Sequence, residues 1–329
     1  VRHVLSVIPR AVTILPAAVA SLGVVTLATL TVLGTSAGAN NGPFSAPSVP
    51  RTRTATTYYV SLGDSYSVGF QPSPRPGPTT GYSGAVARRT GMVLVNFGCS
   101  GATTTSILTT PGCSPPYGPQ GEAGAMAYPH VSQASAAAAF IRQHRRHVGL
   151  ITVSIGGNDF ARCARADDPT LCVLEFVPQA RRNVATLATK LRRAAGPSVP
   201  ILGLTYPDVL LGTWVYPSSD PNAALATLSV TAFKSIFNPT LARAYRAGRV
   251  KFVDVTRATG AYIPLTATTS LDPYGEVPVA VARVCKLTWY CTQGNIHAKT
   301  SGYDLIAKEV VAAYRTTERV LTADRSSTR

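Results

Sequence analysis

Three observations predict a three-layer α/β/α sandwich around a five-stranded parallel sheet. Short apolar, β-rich runs recur at 57–62, 92–96, 148–154, 199–205 and 250–255. Helical patterns stand between them at 81–90, 131–146, 175–195 and 222–247, and a last one covers 300–316. The strand runs are almost continuously apolar instead of alternating, as expected when helices cover both faces of a sheet. Strand–helix alternation needs crossover connections, and crossovers make neighbouring strands parallel.

The flanks do not belong to that pattern. Arg2 and Arg10 bracket a basic start, residues 11–34 are nearly all apolar, and small residues occupy 36–39. This reads as a secretory signal peptide over 1–39, cleaved after Ala39, or as an anchor if it is retained. Residues 40–56, rich in Asn, Pro, Ser, Arg and Thr, read as a flexible spacer. One catalytic-sized domain is expected over 57–320, and a loose polar tail over 321–329. Segments 71–80, 109–130 and 257–296 are too long and polar for simple connectors. Long loops at the carboxyl ends of parallel strands commonly shape a ligand cleft.

Composition narrows the class. In 329 residues, 45% hydrophobic and 14% charged content excludes a disordered chain. The formal charge is +16. It fits either attraction to an anionic envelope surface or scattered surface arginine. The basic residues are dispersed and no nucleic-acid motif is present, so nucleic acid is not expected as a partner. Six cysteines, all beyond the leader, suggest disulfides in an exported protein. They form sequence-local couples, Cys99–Cys113, Cys163–Cys172 and Cys285–Cys291, which is the expected pairing because each couple lies within one loop region. No CxxC spacing is present, and the arginines beside His144 and His147 oppose a cation there, so no metal is expected.

Four short blocks carry chemistry. The first strand ends in Gly63-Asp64-Ser65, where a serine before a helix stands exposed and backbone N–H groups face developing negative charge. Gly-Asp-Ser also makes ordinary turns and caps. The second strand leads into Asn96-Phe97-Gly98-Cys99-Ser100-Gly101-Ala102-Thr103, in which Gly101 lets its backbone approach a ligand. The third ends in Gly156-Gly157-Asn158-Asp159, where the Asn158 amide could donate to an oxyanion or merely cap a helix. Of the histidines, His297 alone lies in a loop directly before the last helix, within reach of a strand-end serine.

Gly-Asp-Ser, Ser-Gly-Ala-Thr, Gly-Gly-Asn-Asp and a late His, in that order from Tyr58 to Tyr314, resemble the SGNH (GDSL-like) hydrolases. The cysteine couples look like those of exported actinobacterial esterases and lipases. The resemblance implies a flavodoxin-like fold, Ser65 as nucleophile, His297 as base, and Gly101 and Asn158 in the oxyanion hole. One position departs from the family: Gly294 stands where an Asp usually precedes the His by three residues, and Ala298 replaces the Pro after it. The expectation is therefore a Ser65–His297 dyad, with the Gly294 carbonyl holding Nδ1–H. Asn295 is not assigned that role, and Asp254 is the best carboxylate rival, ahead of Asp304.

The implied activity is cofactor-free hydrolysis of carboxylic esters, with lipid or small acyl esters as substrates, by a secreted or envelope-associated monomer. Two alternatives are a carbohydrate deacetylase and a non-catalytic envelope-binding protein on the same scaffold. An α/β-hydrolase is excluded: it expects Gly-x-Ser-x-Gly after several strands, and Ser65 follows the first, in Gly-x-Ser-x-Ser.

Overall fold

A computed structural model describes residues 56–72, 81–113, 124–163 and 166–327. The leader and nearly all of the spacer lie outside them, as do most of segment 71–80 and the middle of 109–130. The strands are β1 (Tyr58–Gly63), β2 (Val93–Asn96), β3 (Val148–Ser154), β4 (Ile201–Leu204) and β5 (Lys251–Val253), and all their pairings are parallel. Their order in the sheet is β2-β1-β3-β4-β5. The chain first moves outward from β1 to β2, then returns past β1 to build the other half. The winding direction therefore reverses between β1 and β3, and a crevice opens at their carboxyl ends.

Helices cover both faces. The elements after β1 and β2 are α1 (Ser65–Val68), α2 (Tyr82–Thr90), α3 (Ser106–Thr109) and α4 (Gln133–Gln143). After β3 come α5 (Gly157–Cys163) and α6 (Pro169–Ala195). Next are α7 (Ala223–Ala232), α8 (Asn238–Arg246) and α9 (Val255–Ala258). The last are α10 (Val279–Leu287), α11 (Tyr290–Gln293) and α12 (Thr300–Ser327). In one layer α2 packs on α12; in the other α6 packs on α4 and α8. The apolar strands meet them in one core containing Tyr59, Leu62, Ile151, Leu187, Tyr245 and Tyr303, all fully buried.

Several boundaries differ from expectation for local reasons. Asp168 caps α6 by accepting from Leu171 N at 2.9 Å, with Pro169 in the first turn, so that helix begins earlier than predicted. The helix expected over 222–247 is interrupted by a π-turn at Phe233–Phe237, ahead of Pro239, which has no N–H to continue the ladder. The tail expected to be loose is helical through Ser327, because no Gly or Pro follows Gly302 to stop α12. Segment 257–296 is not a loop. It holds an antiparallel hairpin, β6 (Thr268–Leu271) and β7 (Gly275–Pro278), followed by α10 and α11. These elements enclose a second, smaller core around Leu211, Val277, Val281 and Val284. The cysteines pair locally as expected, with Cα separations of 5.7, 5.3 and 5.2 Å.

Candidate active site

The serine is placed by the end of β1. Gly63 has φ 138°, and a side chain on it would stand 2.1 Å from the Ser154 carbonyl oxygen of β3. Only glycine lets the two strands stay paired to the last residue while the chain turns. Gln133 of α4 holds this turn from both sides, accepting from Gly63 N at 2.7 Å and donating to Gly63 O at 3.0 Å. Asp64 then caps α1, accepting from Tyr66 N at 3.0 Å. Ser65 follows with its side chain at the crevice.

His297 arrives from the opposite side, on the loop between α11 and α12. Its Nε2 lies 2.7 Å from Ser65 Oγ, across 232 residues of sequence. The roles of the two ring nitrogens follow from their surroundings. Asn295 Oδ1 accepts the His297 backbone N–H at 3.0 Å and lies 2.7 Å from Nδ1. A backbone N–H can only donate, so the amide atom facing it is the oxygen. The ring therefore presents Nδ1–H to Asn295, and Nε2 is left with a free lone pair for the Ser65 hydroxyl proton.

This corrects the expected orienting group. The acceptor for Nδ1–H is the Asn295 side chain and not the Gly294 carbonyl. Gly294 ends α11 in a left-handed conformation, φ 61°, with its N–H on Tyr290 O at 2.7 Å. A side chain there would meet the Tyr216 ring at 2.8 Å. This turn folds the Asn295 side chain back over its own loop, toward the imidazole. Neither carboxylate rival reaches the ring. Asp254 caps α9 and bonds Asn238, and Asp304 pairs with Arg89 and Lys308 at the surface.

Two aromatic residues unmentioned by the motif complete the support of the histidine. The Tyr66 hydroxyl, one residue past the serine, donates to Ile296 O at 2.7 Å, one residue before the histidine. Its ring packs edge-on against Tyr206 and Tyr303. The Phe70 ring sits 4.4 Å from the imidazole. The loop is fixed further by Trp289 N on His297 O at 3.0 Å and Lys299 N on Leu287 O at 2.8 Å. The Cys285–Cys291 disulfide clamps the two short helices that precede it.

Burial among these rings pushes the His297 imidazole down to about 4. It is therefore neutral, and able to accept a proton, from mildly acid pH upward. Burial likewise raises the Asp64 carboxyl to about 7, against the lowering effect of hydrogen bonds from the Tyr206 hydroxyl, at 2.6 Å, and Tyr66 N. Among the described residues, no group of three or more His, Cys, Asp and Glu side chains is arranged to hold a metal ion.

The remaining predicted residues are distributed unequally. Asn158 and Gly294 line the same cleft of about 260 Å³ as Ser65. The Asn158 amide donates to Ala102 O at 2.9 Å, which ties the loop after β2 to the start of α5. Gly101, adjacent to Ala102, is exposed with φ 80° and is not part of the cleft wall. Asp159, the last residue of the third block, fixes that loop. Its carboxylate accepts from Thr104 N at 2.9 Å and the Thr104 hydroxyl at 2.8 Å.

A family model for the GDSL-like lipases and acylhydrolases matches residues 61–305, which contain all four blocks.

The chain belongs to the GDSL-like lipase/acylhydrolase family.

The chain is similar to several solved structures. The lipase Lip_vut3 from a goat rumen metagenome is 18% identical with a TM-score of 0.46, and the match covers 78% of this chain and 97% of that one. An extracellular lipase from Streptomyces rimosus is 19% identical with a TM-score of 0.43, covering 78% and 100%. A phospholipase A1 from Streptomyces albidoflavus NA297 is 17% identical with a TM-score of 0.39, covering 70% and 95%. No curated protein matches the sequence.

Proposed function

We propose that this GDSL-family chain is an exported carboxylic ester hydrolase working through an acyl-enzyme on Ser65. The observation that carries the reading is the 2.7 Å contact between Ser65 Oγ and His297 Nε2, with Nδ1–H held by Asn295. Nε2 removes the hydroxyl proton as Oγ bonds to the ester carbonyl carbon. The Ser65 N–H and the second amide hydrogen of Asn158 are the donors for the oxyanion; Gly101, expected to join them, stands outside the cleft wall. Ser65 begins a helix, so its N–H has no partner within it. Nε2 returns the proton to the departing alcohol, the C–O ester bond breaks, and the acyl group stays on Oγ. Water then repeats the sequence and releases the acid. His297 thus acts in a dyad oriented by a neutral amide. Three local disulfides favour an oxidising location outside the cytosol, in line with the leader read at 1–39.

The test is a fluorophosphonate probe with peptide mapping, beside a p-nitrophenyl ester panel. The expected result is labelling at Ser65 and a loss of turnover on the order of a million-fold in Ser65→Ala with the fold intact. Ester cleavage persisting in folded Ser65→Ala would overturn the assignment.

A further inference from the structure

The cleft at Ser65 is flanked by further apolar space. On the α5 side it adjoins a second void of about 80 Å³, and the two share Phe160, Leu210 and Leu225 in their walls. Val173 of α6, Ala232 at the end of α7 and Ile236 in the π-turn also line this pouch. Its few polar groups make it no less apolar. The Ser229 hydroxyl is occupied by Asp208, at 2.9 Å, and by the Ala226 carbonyl, at 2.8 Å. Cys163 also lines it, and the Cys163–Cys172 disulfide ties the end of α5 to the first turns of α6, so this wall is held in place.

The solvent-facing edge of the pouch is apolar as well. Leu228 of α7, itself a lining residue, is 46% exposed. Leu174 is 57% exposed and stands one turn beyond the lining residue Thr170, on the same side of α6. Large aliphatic groups left in water beside an apolar void mark a place where an apolar ligand is received.

Direction decides which part of an ester would enter. The alcohol must leave on the side of His297, because Nε2 returns its proton. The pouch contains no residue of the His297 loop; it lies past Asn158, two positions from which Phe160 begins its wall. A group reaching it from a carbonyl carbon bonded to Ser65 Oγ is the acyl chain.

We propose that this pouch receives the end of a straight, medium-length acyl chain, so that the site prefers hexanoyl and octanoyl esters over acetyl esters. The proposal rests on the ester-hydrolase reading above. An acetyl group ends in the cleft and leaves the pouch empty, whereas each methylene entering it leaves water for an apolar wall. That transfer corresponds to about a fourfold gain in kcat/KM per methylene, the equivalent of about 0.8 kcal/mol each, levelling once the pouch is full.

The experiment measures kcat/KM for p-nitrophenyl acetate, butyrate, hexanoate and octanoate, with Ser65 occupancy titrated by fluorophosphonate. The wild-type protein is compared with Ala232→Trp, which fills the pouch, and with Leu228→Asn, which makes its solvent-facing wall polar and lies at the surface should the tryptophan variant not fold. The expected result is a rise from acetate to octanoate, with an octanoate-to-acetate ratio that falls at least tenfold in a folded pouch variant. A wild-type profile that is flat or falling while Ser65 is labelled overturns the pouch and leaves the ester-hydrolase reading standing. A rising profile untouched in folded Leu228→Asn and Ala232→Trp also overturns it, by putting the chain elsewhere. If no ester is cleaved and Ser65 does not react, the ester-hydrolase reading fails and the pouch proposal fails with it.

Discussion

Replacing Asn295 by Asp converts the amide that orients His297 into a carboxylate at the same place, and the consequence can be worked through. In the wild-type protein the imidazole is lowered to about 4 by burial. Its Nδ1 partner, at 2.7 Å, is uncharged, so nothing there favours the imidazolium. A carboxylate introduced at this spot attracts the protonated ring. At about 4 Å between charge centres and an effective dielectric near 20, the attraction is about 4 kcal/mol. Measured effects of an opposite charge at such a distance are about 1 to 3 pKa units. The acid limb of kcat/KM, which reports the free enzyme's base, is therefore expected near pH 4 in the wild type and between about pH 5 and 7 in Asn295→Asp. The sign gives a crossing. A raised pKa keeps the base protonated over a wider acid range, so the variant is slower at pH 5. At pH 8 both bases are free, and the charged partner stabilises the imidazolium formed in the transition state, so the variant is at least as fast. Asn295→Ala should instead lose about 5- to 100-fold at every pH, since a buried donor loses its acceptor. The assay is a pH-stat rate profile on a neutral short-chain ester from pH 3.5 to 9. A wild-type limb near 6.5 would refute the burial argument for His297, and a limb unmoved in Asn295→Asp would refute the role given to Asn295.

Two further expectations follow from groups outside the motif. Tyr66→Phe removes the donor to Ile296 O while keeping the packed ring, so kcat should fall about 5- to 50-fold with KM nearly constant, as read by steady-state kinetics on a folded variant; an equal change in KM would count against a positioning role. Asp208 is buried, with one carboxyl oxygen lacking a hydrogen-bond partner among the described residues, and burial raises it to about 7. A raised carboxyl binds its proton more tightly in the folded state, so its stabilising contribution is complete below about pH 4 and is lost as pH rises through about 7. The Tm of Asp208→Asn relative to wild type should therefore become more favourable from pH 5 to pH 8 by thermal melts, and a difference that stays constant would show that Asp208 does not titrate in that window.

How much of this was legible in the linear chain varies by element. The five strands could be read because continuous apolar runs have few alternatives between helical segments, and Val148–Ser154 was predicted to the residue. The hairpin β6–β7 and α10 are not legible in the sequence because their strands are short and largely exposed, and their apolar residues face a small separate core. Ser65 and His297 stood out through the order of the four blocks. Tyr66, Gln133 and Asp159 did not, because each acts through one contact with a residue distant in sequence. Asn295 stands beside the histidine in the sequence, but the direction of its side chain follows from the left-handed turn at Gly294, which neighbouring residue types do not reveal.

The sequence by itself determined the fold class, the local cysteine pairing and the residues brought to the carboxyl end of the sheet. Those follow from local periodicity, from cysteine spacing and from strand-end position, all of which are short-range properties. The tertiary structure alone decided which group orients His297, that the imidazole is buried enough to be a weak base, and that an apolar pouch adjoins the serine. Each of these depends on side chains from elements tens to hundreds of residues apart meeting in one place, and on how much water their packing excludes. Spacing along a chain carries no record of either.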